Sequence, residues 1–522
     1  MPNVHPWLAQ IVESAHVRAL TGRLLRGEGA GDASAGVVAD GSRGSSTALL
    51  AGAIAVQTTR PVLLVVAHLD ESDDAAEDLA LFDAAGYSLT AQRFGALEVL
   101  PGESGVSLEL LAERLGVVEL LGGPDAGGAV RPLRPNVIVA PIQALMQSVP
   151  RPEAAAEFTL AVERGGELSP GFLFDWLDRA GYSRNDAIDQ PGDFAVRGGI
   201  VDLYPPAGRA TDDAGNPTTL GPIRLDFFGD EVETIHRINP DTLGSTDPLR
   251  QVSLIGARPA AIRDDDNACL IDLLPVETIP VLHEVMELSE QARGYFERLT
   301  EQRGIYAPKT IFAKLLGRAH VEVNQYSADT GAAARRRLGK SDADVAPITL
   351  PLGPLPPFDT DAKSAVTELG ELAIDHSVTG LCHKPAEAQR LRELLVEHAP
   401  DAVDQVTLEV GDLHRGFVWG RGQGDEGPRD RVEETETESA RHSAPHSPRP
   451  LAPSLLVPHH ELFHRYDTGR RQRKTGGGEE AGRAVSDAFL DLDVGGFVVH
   501  IDHGIAQFTG LKTLRRDGRS QE

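Results

Sequence analysis

Apolar residues are spaced in different ways along this chain, and each spacing predicts a different element. Continuous apolar runs at 62–67 and 136–140 are typical of buried parallel strands. Apolar residues at helical spacing over 107–121, and an acidic helical pattern over 71–83, predict two helices between those strands. The alternation of strands and helices therefore predicts a doubly wound α/β domain over residues 1–148.

A second region, from 194 to 238, alternates apolar and polar residues, which predicts strands joined by turns. Within it, Arg224, Asp226 and Phe228 are expected to project together from one face of a strand. The polar stretch 209–221 is expected to be a loop between two of the strands. This region therefore reads as a mainly β unit that follows the first α/β part.

The second half of the chain is more varied. Residues 366–420 are typical of a small α/β unit with a helix at 386–399. The stretch 421–452 is charged, rich in Pro and Ser and nearly free of large apolar residues, so we expect a disordered linker. Residues 495–514 read as strands with turns, too few for a stable β-domain. Since the sequence stops at Glu522, we expect an interrupted domain.

Composition and charge limit the classes of function. Of 522 residues, 50 are Lys or Arg and 78 are Asp or Glu, which gives a formal net charge of −28 at pH 7. That balance excludes a basic nucleic-acid coat and a polybasic membrane binder. Cys269 and Cys382 lie far apart, and no apolar run approaches the ~20 residues of a membrane helix. With no signal-peptide pattern at the start, we expect a cytoplasmic chain without a membrane partner.

The loop 41–47 opens a predicted helix at the place where a phosphate loop would lie. A P-loop needs a lysine to neutralise the phosphates, and the chain has no lysine before Lys309. A structural remnant is therefore the preferred interpretation, and residual anion binding is the alternative. Gly339-Lys340-Ser341 lacks the leading glycine of the motif and is attributed to chance.

His500, Asp502 and His503 form an H-x-D-H cluster of possible metal ligands. On a strand, His500 and Asp502 share a face while His503 points away. Two ligands are fewer than zinc sites use. We therefore predict no metal site, no catalytic residue and no cofactor-binding residue in this chain.

Arg197 and Arg224 stand among apolar residues in the strand-rich region, and Arg224 shares its expected strand face with Phe228. An arginine beside an aromatic residue is the composition of a binding hot spot. The alternative is an intramolecular Arg–Asp pair on an exposed sheet, and the pattern alone leaves both open.

These residues lie in segments that resemble a known family. The segments 192–206 (GDFAVRGGIVDLYPP), 221–242 (GPIRLDFFGDEVETIHRINPDT) and 136–150 resemble the module shared by the excision-repair helicase UvrB and the transcription-repair coupling factors (Mfd). Residues 495–514 resemble the start of the RNA-polymerase-interacting domain of the coupling factors, a Tudor/CarD-like barrel. UvrB lacks that barrel and keeps a working phosphate-loop lysine, so the resemblance favours the coupling factors.

The resemblance implies a role in transcription-coupled nucleotide excision repair. Coupling factors recruit UvrA to RNA polymerase stalled at a DNA lesion and displace the polymerase with an ATP-driven DNA translocase. The family's two arginines and one phenylalanine that contact UvrA match Arg197, Arg224 and Phe228, and its leucine that contacts the polymerase β subunit matches Leu514. ATP and Mg would be cofactors of the full-length family only, and DNA would be bound only through the motor domains.

The same resemblance implies a degenerate P-loop-like domain split by an inserted α+β domain, then a small α/β domain and an incomplete Tudor/CarD-like barrel. The expected segments are 1–148 and 258–350 (UvrB-like domain), 149–257 (inserted UvrA-binding domain), 360–420 (small α/β domain), 421–452 (linker), 453–484 (end of the small domain and a basic linker) and 485–522 (truncated polymerase-interacting domain).

Two departures from the family pattern qualify the expected function. The family's G-x-G-R-[YF] is replaced by residues 504–508, GIAQF, and the motor domains are missing. We therefore expect a chain that binds UvrA in 1:1 ratio, binds polymerase weakly and is not an enzyme. The alternative is a UvrB-like ATPase or helicase subunit, and a self-contained adaptor that titrates UvrA is a third interpretation.

Overall fold

The chain is a mixed α/β protein of several units, as predicted. Its computed structural model describes residues 5–29, 36–97, 108–121, 136–152, 159–218, 220–239, 242, 244–256, 267–300, 302–326, 347–420, 453–464, 497–500, 504–507, 514–516 and 519–521. The predicted linker 421–452, the Gly339-Lys340-Ser341 motif, Asp502 and His503 lie outside these residues.

The first part of the chain alternates helices and strands. The helices are α1 (Pro6–Val12), α2 (Ala15–Gly29), α3 (Ser46–Thr58), α4 (Leu69–Ala84), α5 (Leu108–Leu121) and α6 (Ile142–Met146), and the strands are β1 (Gly36–Asp40), β2 (Val62–Val66), β3 (Ala91–Arg93), β4 (Val137–Pro141) and β5 (Val149–Pro150). Both predicted strands, β2 and β4, are buried along their whole length. The predicted helix 71–83 begins earlier because the Glu71 carboxylate accepts the N–H groups of Ala67 and His68 at 3.1 and 3.2 Å.

The second part is a largely antiparallel sheet with one helix. It contains β6 (Thr159–Glu163), α7 (Pro170–Arg179), β7 (Ser183–Arg184), β8 (Asp193–Arg197), β9 (Ile200–Leu203), β10 (Ala207–Asp212), β11 (Pro217–Thr218), β12 (Ile223–Phe228), β13 (Glu231–Ile238) and β14 (Ser245–Ile255). Its order is β11-β10-β14-β13-β12-β9-β8-β7, with β6 paired to β14. The expected loop at 209–221 is wrong, because β10 and β11 pair there as a hairpin. The pairing involves two residue pairs with no large aliphatic or aromatic side chain, so no apolar pattern predicts it.

The third part returns to alternating strands and helices. It contains β15 (Asn267–Ala268), α8 (Leu270–Leu273), β16 (Ile279–His283), α9 (Val285–Arg298), α10 (Pro308–Leu316), β17 (His320–Asn324) and β18 (Ile348–Thr349). Strands β16, β17 and β18 join β1 to β4 of the first part in one seven-stranded parallel sheet, β18-β1-β17-β16-β2-β4-β3. The antiparallel sheet is thus an insertion, and β5 pairs with β15 where the chain leaves and re-enters the parallel unit.

A small five-stranded unit follows. It contains β19 (Leu352–Pro354), α11 (Ala362–Leu372), β20 (Ser377–Cys382), α12 (Pro385–His398), a 3₁₀ turn (Pro400–Ala402), β21 (Val406–Val410), β22 (Phe417–Trp419), β23 (Ser454–Pro458) and α13 (His459–Leu462). The sheet order is β19-β22-β23-β20-β21. Since β23 lies between β22 and β20, the small unit takes a central strand from beyond the segment 421–452.

The last described residues form two hairpins. Strand β24 (Phe497–His500) pairs with β25 (Gly504–Gln507), and β26 (Leu514–Arg516) pairs with β27 (Arg519–Gln521), both antiparallel. Strands are thus present where the sequence predicts them, and the closed barrel stays a prediction.

The parallel unit and the small unit share one apolar core. Leu413, Phe417 and Trp419 of the small unit are buried in the same cluster as Leu49 and Leu50 of α3. The two sheets are therefore held together by continuous packing, and the segment that links β21 to β22 lies against the start of α3.

Candidate protein-interaction site

Strand β12 presents the candidate residues on its outer face. Ile223 and Leu225 are fully buried, whereas Arg224 is half-buried and Phe228 is 77% exposed. The apolar–polar alternation read from the sequence is therefore confirmed. The inner face packs against α7 through Leu173, Trp176 and Leu177 of that helix. The opposite face is accessible to solvent at Arg224 and Phe228.

The register of the sheet brings Arg197 to the same face. Arg197 is paired with Ile200, and Ile200 is paired with Asp226, so the three side chains form a row across β8, β9 and β12. Two strand spacings separate Arg197 from Asp226, about 10 Å. The structure therefore adds Arg197 to the outer face that carries Arg224 and Phe228, although Arg197 lies on a different strand.

Two tight turns position the ends of these strands. The β8–β9 turn has Gly198 at φ +64° and the β12–β13 turn has Gly229 at φ +63°. A two-residue hairpin turn needs a positive φ, which glycine adopts without strain. The Phe227 N–H donates to the Gly199 carbonyl at 2.8 Å, so both turns lie at one end of the sheet. Arg197 and Phe228 directly precede these turns, so both residues are held at the same end of the sheet.

Arg224 forms a bidentate ion pair within the sheet. Its Nε and Nη2 atoms donate to Oδ1 and Oδ2 of Asp202 at 2.6 and 2.8 Å. Asp202 is buried, and its hydrogen bonds to the guanidinium raise the pKa of Arg224. The intramolecular Arg–Asp pair that the sequence left open is therefore present, although the sequence did not identify Asp202 as the partner. A carboxylate within the apolar run 200–203 is the signal that indicates a buried partner.

Arg197 is held less firmly than Arg224. The Arg197 Nη2 atom donates to the Asp186 carbonyl at 3.0 Å, on the exposed surface. The loop that carries Asp186 is anchored by the Asp193 carboxylate, which accepts N–H groups of Asp189 and Gln190. Leu514 begins strand β26, opposite Gln521.

The phosphate-loop-like segment is filled by the chain itself. The Ser45 N–H donates to the Arg415 carbonyl at 3.0 Å, and the Arg415 N–H donates back to Ser45 Oγ at 3.0 Å. A phosphate would need this position at the start of α3. In this arrangement a backbone carbonyl of the small unit takes the hydrogen bond that an anion would otherwise accept.

We expect that Ser45→Lys, which places a lysine after Gly44 as a P-loop requires, does not create an ATP site. Ser45 is buried against the small unit, so the ammonium would lack both water and space. Binding of a fluorescent ATP analogue with Mg²⁺, compared with the unaltered chain, is the measurement. Saturable binding gained by the variant would show that the small unit does not block this site.

Other candidate chemistry receives no support from the described residues. Within those ranges, no group of three or more His, Cys, Asp or Glu side chains is arranged to hold a metal ion. His500 ends strand β24, while its two proposed co-ligands lie outside the described residues. Of the helices described, none has the length and apolar character needed to cross a bilayer.

Two family models match this chain. The UvrB interaction domain matches residues 160–259, which include Arg197, Arg224 and Phe228, and the CarD-like/TRCF RID domain matches residues 492–522, which include Leu514. The transcription-repair-coupling factor of Bacillus subtilis (strain 168) is 28% identical over 233 residues, and that of Myxococcus xanthus is 27% identical over 265 residues. The resemblance to the amino-terminal region of transcription-repair-coupling factors is confirmed.

The similarity to the coupling factors covers only part of each relative. The two alignments cover 44% and 49% of this chain but only 18% and 20% of the relatives, so the aligned part amounts to about a fifth of their length. Among solved structures, the DUF1998 helicase MrfA bound to DNA aligns over 78% of this chain and 40% of its own, at 8% identity and a TM-score of 0.25. A TM-score this low gives no information on the fold of this chain.

Proposed function

We propose that this chain is the recruiting part of a coupling factor and that the outer face of its antiparallel sheet binds UvrA. One observation carries the proposal: Phe228 is 77% exposed on the face that also holds Arg224 and Arg197. Exposed aromatic residues flanked by arginines are typical of binding hot spots. All three residues lie within the part of the chain that matches the UvrB interaction domain.

The proposal extends to the polymerase. Leu514, within the part that matches the RID domain, would contact the RNA polymerase β subunit, weakly in this chain. In the whole protein, a translocase that uses ATP and Mg would bind DNA and displace the stalled polymerase. The contribution of this chain is recruitment in transcription-coupled nucleotide excision repair, in the cytoplasm.

A binding role is favoured over the alternative of a UvrB-like ATPase. The hydrogen bonds between Ser45 and Arg415 occupy the place that a nucleotide phosphate would need. In the proposed binding role, the phosphate-loop remnant serves only to stabilise the fold. ATP turnover by the pure chain with DNA would favour the enzyme instead.

The experiment is calorimetric titration of the chain with purified UvrA. We expect 1:1 binding by the unaltered chain and about thirtyfold weaker binding by Phe228→Ala, the equivalent of about 2 kcal/mol. Since Phe228 is largely exposed, its removal should leave the melting temperature unchanged.

Phe172→Ala is the matched control, because Phe172 is 48% exposed on α7, the helix that packs on the inner face of the same sheet. This variant should bind UvrA like the unaltered chain. Equal affinities for Phe228→Ala and the unaltered chain would contradict the assignment of the outer face.

A further inference from the structure

Asp202 lies opposite Arg224 on the outer face of the sheet and is nevertheless buried. It lies in β9 between Val201 and Leu203, both buried, and is itself only 4% exposed. A buried carboxylate is costly unless it is paired and hydrogen-bonded. The sheet therefore keeps Asp202 only together with its partner on the neighbouring strand, Arg224.

The pair uses one edge of the guanidinium. Nε and Nη2 of Arg224 are taken by the two carboxylate oxygens of Asp202, at 2.6 and 2.8 Å. The other terminal nitrogen, Nη1, lies 3.4 Å from Oγ of Ser245, the first residue of β14. The Arg224 side chain keeps 19% of its surface exposed, against 6% for Asp202. A bidentate pair therefore fixes the plane of the guanidinium and leaves the side chain partly accessible.

We propose that Asp202 is a positioning residue that holds the Arg224 guanidinium in the orientation in which UvrA contacts it. This inference rests on the proposed function of the outer face. An arginine side chain loses rotamer freedom when it is immobilised in an interface. Because Asp202 immobilises Arg224 in the free chain, this conformational entropy is lost on folding and not on binding, which favours binding of the partner.

The pair also determines which substitutions are informative. Arg224→Glu would place a second carboxylate against buried Asp202, so loss of binding by that variant could reflect loss of the fold. Arg224→Lys keeps the positive charge beside Asp202 but cannot form the bidentate pair. Asp202→Asn keeps the shape of the side chain and removes one of the two acceptor oxygens.

The experiment is a double-mutant cycle of Asp202→Asn and Arg224→Lys, with UvrA affinity measured by calorimetry. We expect Asp202→Asn to weaken binding about tenfold in the unaltered chain and less than about twofold in the Arg224→Lys background. Asp212→Asn is the matched control, because Asp212 is a carboxylate of the same sheet that accepts hydrogen bonds from Asn216. It should bind UvrA normally.

A second readout uses the free chain. In an NMR spectrum of the ¹⁵N-arginine-labelled chain, the Arg224 Nε–H signal is assigned by its absence from the Arg224→Lys variant. We expect this proton to be protected from exchange with solvent in the unaltered chain and to lose that protection in Asp202→Asn. An unchanged signal in Asp202→Asn, or equal losses of affinity in both backgrounds, would overturn the positioning role. If the unaltered chain fails to bind UvrA, the proposed function is wrong, and the spectrum still decides whether Asp202 orients Arg224.

Discussion

Gly44→Ala is expected to lower the free energy of unfolding of the parallel unit by about 3 kcal/mol or more. Gly44 has φ +51°, and a Cβ atom there would lie 2.6 Å from the Gly416 carbonyl oxygen and 2.7 Å from that of Arg415. Both oxygens belong to backbone, so they cannot rotate away as a flexible side chain would. The small unit must then separate from α3 or the loop must distort.

Urea titration followed by tryptophan fluorescence in a Trp176→Phe background measures this effect. The remaining tryptophans, Trp7 and Trp419, both lie in the core that the parallel and small units share. Gly41→Ala is the matched control, because Gly41 lies in the same unit and has φ +97°, but a Cβ atom there would come no closer than 3.4 Å, to the Leu350 carbonyl oxygen. It should cost about 1 kcal/mol. Equal costs for the two variants would show that the docking of the small unit is not tight.

The contact around His414 is expected to make the docking of the small unit depend on pH. Nδ1 of His414 lies 3.2 Å from Asp78 Oδ1, and Nε2 lies 3.2 Å from Glu77 Oε2 and 3.6 Å from Asp74 Oδ1. Burial alone would lower the pKa of His414, but the hydrogen bond to Asp78 and the three carboxylate charges raise it to about 9. The folded chain therefore binds this proton more tightly than the unfolded chain does.

Because the folded-state pKa of His414 lies above the unfolded value, its stabilisation is fully present below about pH 6.5 and is lost as the pH rises through about 9. We expect a loss of up to about 3 kcal/mol across this window. Hydrogen exchange of the segment 413–417 at pH 6.5 and pH 9, corrected for the intrinsic rates, is the measurement. His414→Gln should remove most of the pH dependence, and a slope that survives in this variant would assign it to another group.

Local pattern was sufficient for much of the architecture. The apolar runs identified β2 and β4 as buried strands, because a parallel strand covered on both faces carries mostly apolar side chains. Alternation around Arg224 identified the outer face of β12, because the side-chain period of a strand is two. Pairing between β10 and β11 escaped prediction, since β11 has only two residues and β10 (AGRATD) lacks the large apolar residues that mark a strand.

The sequence by itself determined the fold class, the face that carries Arg224 and Phe228, and the resemblance to the coupling factors. Only the tertiary structure decided the partners of those residues. Asp202 meets Arg224 through strand register, and Arg415 reaches Ser45 across 370 residues of chain. Some of these contacts join backbone groups, which are the same in almost every residue and so leave no mark in the sequence. Others join single side chains on different strands. No periodicity records them, so they become visible only when packing brings the segments together.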